Sequence, residues 1–200
     1  MTINDLNAHI IEWAKERELD TKGTVEAQAI KTVEELSELI KAICKDNRED
    51  IIDSIGDVYV TLVIGNMLDK QFDLEATYND AVYYSGLAEI TKVNTFIDLG
   101  DNISQVLTVL YSNFTLYKTL HSLLITATMY DLDFVECVES AYDTIKNRHG
   151  KLVDGMYVKD EDLASGAAQK ATPKLTNEIV KKIGYESVKN FFDGFTNDLY

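Results

Sequence analysis

Glu34, Glu35 and Glu38 fall within one short run, K-T-V-E-E-L-S-E-L, and Asp53 and Asp57 follow on the next segment, four positions apart. Residues three or four apart on a helix share a face, so each run gathers its carboxylates on one side. Like charges at that spacing repel, and a chain that keeps them exposes them to water or sets a cation among them. Such a donor set is hard and oxygen-rich, the kind that holds Mg²⁺ with water completing an octahedron; two ions roughly 4 Å apart also suit it. Gln28 and Lys31 share the stripe of Glu35 and Glu38, which puts an amide and an ammonium beside the acids. A separate basic cluster, Lys146, Arg148 and Lys151, offers donors for phosphate oxygens. Taken alone, a Glu-Glu-x-x-Glu run in an acidic chain also reads as a solvated helix face.

Positioning these groups requires two helices joined tightly. The periodicity predicts a first helix over 3–18, with Ile10, Trp13 and Ala14 on its inner face, then a turn over 20–23. Thr24 reads as the N-cap of a second helix reaching residue 45, whose apolar positions Leu36, Leu39, Ile40 and Ile43 recur at helical spacing. Asp46-Asn47-Arg48 breaks the pattern. A third helix follows from about residue 49, with Ile51, Ile55, Val58, Tyr59 and Leu62 as its buried stripe and Asp50, Asp53 and Asp57 nearly opposite. So short a connection favours an antiparallel hairpin in which the two acidic faces converge.

Beyond it the chemistry thins. Helices are expected over 73–90, 101–111 and 116–130, with Ile103, Val106, Leu107 and Leu110 as one inner stripe and Leu120, Leu123, Leu124 and Ala127 as another. Tyr78, Tyr83 and Tyr84 read as core or interface. A further amphipathic helix is expected over 134–147, then an extended pair over 152–159 around a turn at Asp154-Gly155. Residues 160–172 are polar and read as a mobile linker, and a last helix is expected over 175–192. The expected organisation is one all-α domain over 1–159, with 65–133 as a helical insertion, followed by a linker and C-terminal helix over 160–200.

Composition narrows the function. One proline and ten scattered glycines in 200 residues leave room for long helices. A net charge of −15 repels a phosphate backbone, which argues against nucleic-acid binding, though not against a small polyphosphate carried with a cation. Two cysteines far apart suit a reducing compartment. With no basic-then-apolar leader and no long uncharged run, the expectation is a cytoplasmic chain with no membrane span. His9, His121 and His149 lack partners at ligand spacing.

The run K-T-V-E-E-L-S-E-L…D-S-I-G-D-V-Y-V-T-L resembles the MazG-like, all-α nucleoside triphosphate pyrophosphohydrolases, which are related to the dimeric dUTPases and carry E-E-x-x-E followed by E-x-x-D. The resemblance covers roughly residues 13–66 and resumes over 141–159, where A-Y-D-T-I-K-N-R-H-G-K-L-V-D-G-M-Y-V-K looks like the closing helix and tail of phage-type members. It implies a helical bundle, hydrolysis of a nucleoside or deoxynucleoside triphosphate to monophosphate and pyrophosphate, and a homodimer or homotetramer. It implies Mg²⁺ on Glu35, Glu38 and Asp57, with Glu34 as the remaining acid of the first motif. The fourth ligand position falls on Ser54, where the family has Glu, so Asp53 or a water fills that place. Glu34, Glu38 and Asp53 are the implied catalytic acids. Gln28, Lys31, Asp143 (Asn in many relatives), Lys146 and Arg148 are the implied substrate contacts. A dUTPase- or dCTPase-like specificity, and a weakened nucleotide- or metal-binding protein, stay open beside it, as does a helical interaction protein.

Overall fold

The computed structural model describes residues 1–164, apart from Lys70, Glu89 and the side chain of Asp162. The fold is all-α. In chain order the elements are α1 (Ile3–Glu16), α2 (Leu19–Lys22), α3 (Val25–Lys45), α4 (Arg48–Leu68), α5 (Leu74–Ser85), α6 (Lys92–Val109), α7 (Asn113–Met129), α8 (Phe134–Ile145), β1 (Gly150–Val153), β2 (Met156–Lys159) and α9 (Asp160–Ala164). The chain divides into a unit over Met1–Lys159 and a second over Asp160–Tyr200. The helix expected over 175–192 lies outside the described residues.

α3 and α4 form the helical hairpin. Thr24 caps α3 by accepting from the Ala27 amide, and Asp46 ends it in the left-handed region at φ 54°. Asn47 then caps α4 by accepting from Glu49 and Asp50. Gln28, near the start of α3, bonds the Thr61 carbonyl toward the far end of α4, as antiparallel packing requires.

α4 departs from the one-sided helix expected of it. From Ser54 to Asn66 every residue except Asp57 is buried, because α1, α3, α7 and α8 all pack against it. Its composition would suit a bilayer, at a mean hydropathy of 1.4, but 72% of that window lies inside the protein. Two glycines make the crowding feasible. A Cβ on Gly56 would stand 2.4 Å from the Cys137 carbonyl oxygen, and one on Gly65 would stand 2.0 Å from the Tyr111 ring.

Other boundaries moved. The first helix ends at Glu16, and a separate turn of helix, α2, occupies the expected loop. α6 begins at Lys92, well before the expected start, and Leu107 on it is 56% exposed instead of facing inward. Its inner stripe is Thr95, Leu99, Asn102 and Val106, half polar, and Asn102 donates to Ser122 Oγ at 2.8 Å. The tyrosines separate: Tyr78 stacks on Phe134, whereas Tyr83 and Tyr84 are exposed. A short helix, α9, stands where only polar linker was expected.

Candidate active site

The acids of α3 and α4 meet across the hairpin. Glu35 is buried at 9% exposure, whereas Glu34, Glu38 and Asp53 are exposed and Asp57 is half-buried. Burial, followed by the charges of Glu35 and then Asp53, pushes the Asp57 carboxyl up to about 7. Glu38 is also raised, first by burial, then by Glu35 and Glu34. Glu35 therefore acts on an acid of its own helix and on one of the next.

Lys31 is the local counter-charge. Its ammonium lies 2.6 Å from Glu34 and 3.0 Å from Glu35. Burial alone would depress its pKa, but the two carboxylates outweigh that and hold it above the ordinary value. One ammonium offsets one charge, and Glu38 and Asp57 stay crowded. Among the described residues no three acid, histidine or cysteine side chains are already drawn into metal-binding distance. The donor chemistry nevertheless fits a hard divalent cation: the Glu35 charge acts on both Glu38 and Asp57, and such an ion would relieve that repulsion.

The structure rearranges the other expected contacts. Gln28 is 8% exposed and its amide donates to the Thr61 carbonyl, which ties α3 to α4. Ser54 is 7% exposed and lies within the helix packing. Lys146 binds Asp143 at 2.7 Å on the surface of α8, and that hydrogen bond raises its pKa. Expected as two substrate contacts, these residues satisfy one another.

Arg148 is positioned by its backbone. Its carbonyl accepts from Arg17 Nε at 3.3 Å, Arg17 Nη2 at 3.0 Å and the Tyr157 hydroxyl at 3.2 Å. One turn back, Trp13 Nε1 donates to the Ile145 carbonyl at 2.8 Å, and the Arg17 guanidinium lies over the Trp13 ring at 4.5 Å. Trp13 is 7% exposed, on the inner face expected of it, and serves as a structural clamp. The clamp holds the end of α8 so that the Arg148 charge acts on Asp57, together with that of Lys159.

Lys159 was not singled out by the sequence. It stands on the last residue of β2, and its charge acts on Glu38 as well as Asp57. The Asp154-Gly155 turn was visible, but the tertiary contact that brings the hairpin to α3 was not: Thr24 N donates to the Gly155 carbonyl at 3.4 Å. An open groove of about 600 Å³ lies elsewhere, lined by Phe72, Ala76, Thr77, Phe114 and Tyr117 among others. It shares no residue with the acids, and crowded ionisable groups are the stronger sign of chemistry.

No protein-family model and no solved structure matches the chain. It is similar to an uncharacterized 18.2 kDa protein of the rep-hol intergenic region of Haemophilus phage HP1, at 39% identity over 62 residues. That match spans 31% of this chain and 38% of the phage protein.

Proposed function

We propose that this chain hydrolyses a nucleoside or deoxynucleoside triphosphate to the monophosphate and pyrophosphate, as the resemblance to the MazG-like enzymes implies. The observation that carries the reading is the half-buried Asp57 of α4, which burial, then the charge of Glu35 across the hairpin and that of Asp53, push up to about 7. Glu35, Glu38 and Asp57 would hold Mg²⁺, which supplies neutralising charge to the phosphates and makes a nearby water more acidic.

The chain's own groups do the rest. Asp53, exposed and close enough to raise Asp57, is the better base for the attacking water. Glu34 is the weaker candidate because Lys31 holds it at 2.6 Å. The water oxygen bonds to the α-phosphorus, its proton passes to the carboxylate, and the bond from the α-phosphorus to the bridging oxygen breaks. Pyrophosphate leaves with that oxygen. Arg148, fixed by its carbonyl, steadies the departing charge.

A panel of ribo- and deoxyribonucleoside triphosphates with Mg²⁺, read by pyrophosphate release, tests this. Release that vanishes in Glu38→Gln supports it; no release from any triphosphate defeats it. Buried Ser54, standing where the family has Glu, favours a second reading, a protein that binds nucleotide and metal without turnover. Mg²⁺-dependent nucleotide binding with no pyrophosphate selects that one.

A further inference from the structure

The β1–β2 hairpin has two faces, and they carry different lysines. Its antiparallel register pairs Gly150 with Lys159, Lys151 with Val158, Leu152 with Tyr157 and Val153 with Met156. Opposed residues share a face and successive residues alternate, so Gly150, Leu152, Tyr157 and Lys159 lie on one side. Leu152 and Tyr157 pack against the core, and the Tyr157 ring meets Trp13 edge-on at 5.3 Å. That side is therefore the inner one. Lys159 shares it and is half-buried; Lys151 is on the outer side and exposed.

The hairpin is pinned at both ends. At the tip, Asp154 and Gly155 take φ 51° and 81°, and a Cβ on Gly155 would stand 2.9 Å from Thr24. At the open end, Tyr157 donates to the Arg148 carbonyl, and a Cβ on Gly150 would stand 2.3 Å from the Val158 carbonyl oxygen. The tip thus sits at the N-cap of α3. Four strand residues span roughly 13 Å, against a helical rise of about 15 Å from Thr24 to Glu34 and about 21 Å to Glu38, a gap that a lysine side chain helps to close. Lys159, at the far end of β2, acts on Glu38 and Asp57.

We propose that the inner face of this hairpin is the polyphosphate subsite, with the Lys159 ammonium and the Arg148 guanidinium as its anion contacts. The assignment rests on the function proposed above and replaces Lys146, whose charge is taken by Asp143. Once a divalent cation neutralises the acids, the charges of Lys159 on the hairpin and Arg148 just before it are left for anionic oxygens. An ammonium and a guanidinium together suit the end of a triphosphate chain.

The test is calorimetric titration of the full chain with inorganic tripolyphosphate in Mg²⁺, and with Mg²⁺ alone. Lys159→Met is expected to weaken tripolyphosphate binding by about 10-fold or more, the scale of a lost charge-assisted hydrogen bond, without weakening Mg²⁺ binding. Lys159→Arg retains most of the affinity. Lys151→Met, on the outer face, and Lys146→Met are expected to stay within about 2-fold of the parent. Equal affinity in Lys159→Met and the parent, or an equal loss in Lys146→Met, overturns the assignment and leaves the proposed function standing. A parent chain that binds no tripolyphosphate in Mg²⁺ also overturns the assignment, and pyrophosphate release from a nucleoside triphosphate then decides whether the proposed function stands.

Discussion

Trp13 on α1 donates its indole N–H to the carbonyl of Ile145 at the end of α8, joining residues 132 positions apart. This bond and the Arg17 contacts behind it fix the segment that carries Arg148. Trp13→Phe keeps a ring and removes the donor. It should cost about 1–3 kcal/mol, because the buried carbonyl loses its partner. Urea denaturation measures that loss, and the proposed enzyme should lose substrate affinity more than turnover.

Gly56 and Gly100 make a matched pair of opposite sign. Alanine at Gly56 would push α4 off the Cys137 carbonyl and Ala141, at about 1–3 kcal/mol, and displace the neighbouring Asp57. At Gly100 nothing lies within 4 Å of the added methyl, so alanine should stabilise α6 by about 0.5–1 kcal/mol. Thermal melts of the two variants should move in opposite directions.

Asp57 sets a pH dependence. Its folded pKa, about 7, lies above the ordinary 3.8. Between those values the folded chain keeps a proton that the unfolded chain has lost, so stability falls as pH rises from about 4 to 7 and then levels. Glu38, raised for the same reason, adds in the same direction. The metal-free protein should melt higher at pH 5 than at pH 7.5, and Asp57→Asn should flatten the difference. Added Mg²⁺ should raise the melting temperature more at pH 7.5 than at pH 5, where protons compete for the same oxygens.

Glu35→Gln removes the acid that acts on both Glu38 and Asp57. Pyrophosphate release should fall on the order of 100-fold or more. Asp57 should titrate closer to its ordinary value in the variant, since a like charge has gone. Loss of release with an unchanged Asp57 titration would separate a catalytic role for Glu35 from the electrostatic contact described above.

Much of this was legible because it is local. The carboxylate spacing, the Thr24 cap and the Asp154-Gly155 turn are short-range features, and each appears where residue chemistry puts it. α6 was half missed because its periodicity points the wrong way: Thr95 and Asn102 face inward, while apolar Val93, Ile97 and Leu107 are exposed. The tie of Gln28 to Thr61 and the reach of Lys159 toward the acids were not legible for another reason. Their partners lie on other elements, so helix or strand period alone does not locate them.

Tyr111 has a last consequence. It follows Leu110, held at φ 54°, and lays its ring on Gly65 of α4 while its hydroxyl shares a 2.7 Å hydrogen bond with Thr32 of α3. The turn between α6 and α7 is thus keyed into the back of the acidic hairpin, and the middle helices are not a detachable module. A shortened chain without them would open a void the size of a phenol behind the carboxylates and leave the Thr32 hydroxyl only its bond to the Gln28 carbonyl. Trimming this protein to its acidic helices would need a larger side chain at Gly65 and an apolar one at Thr32.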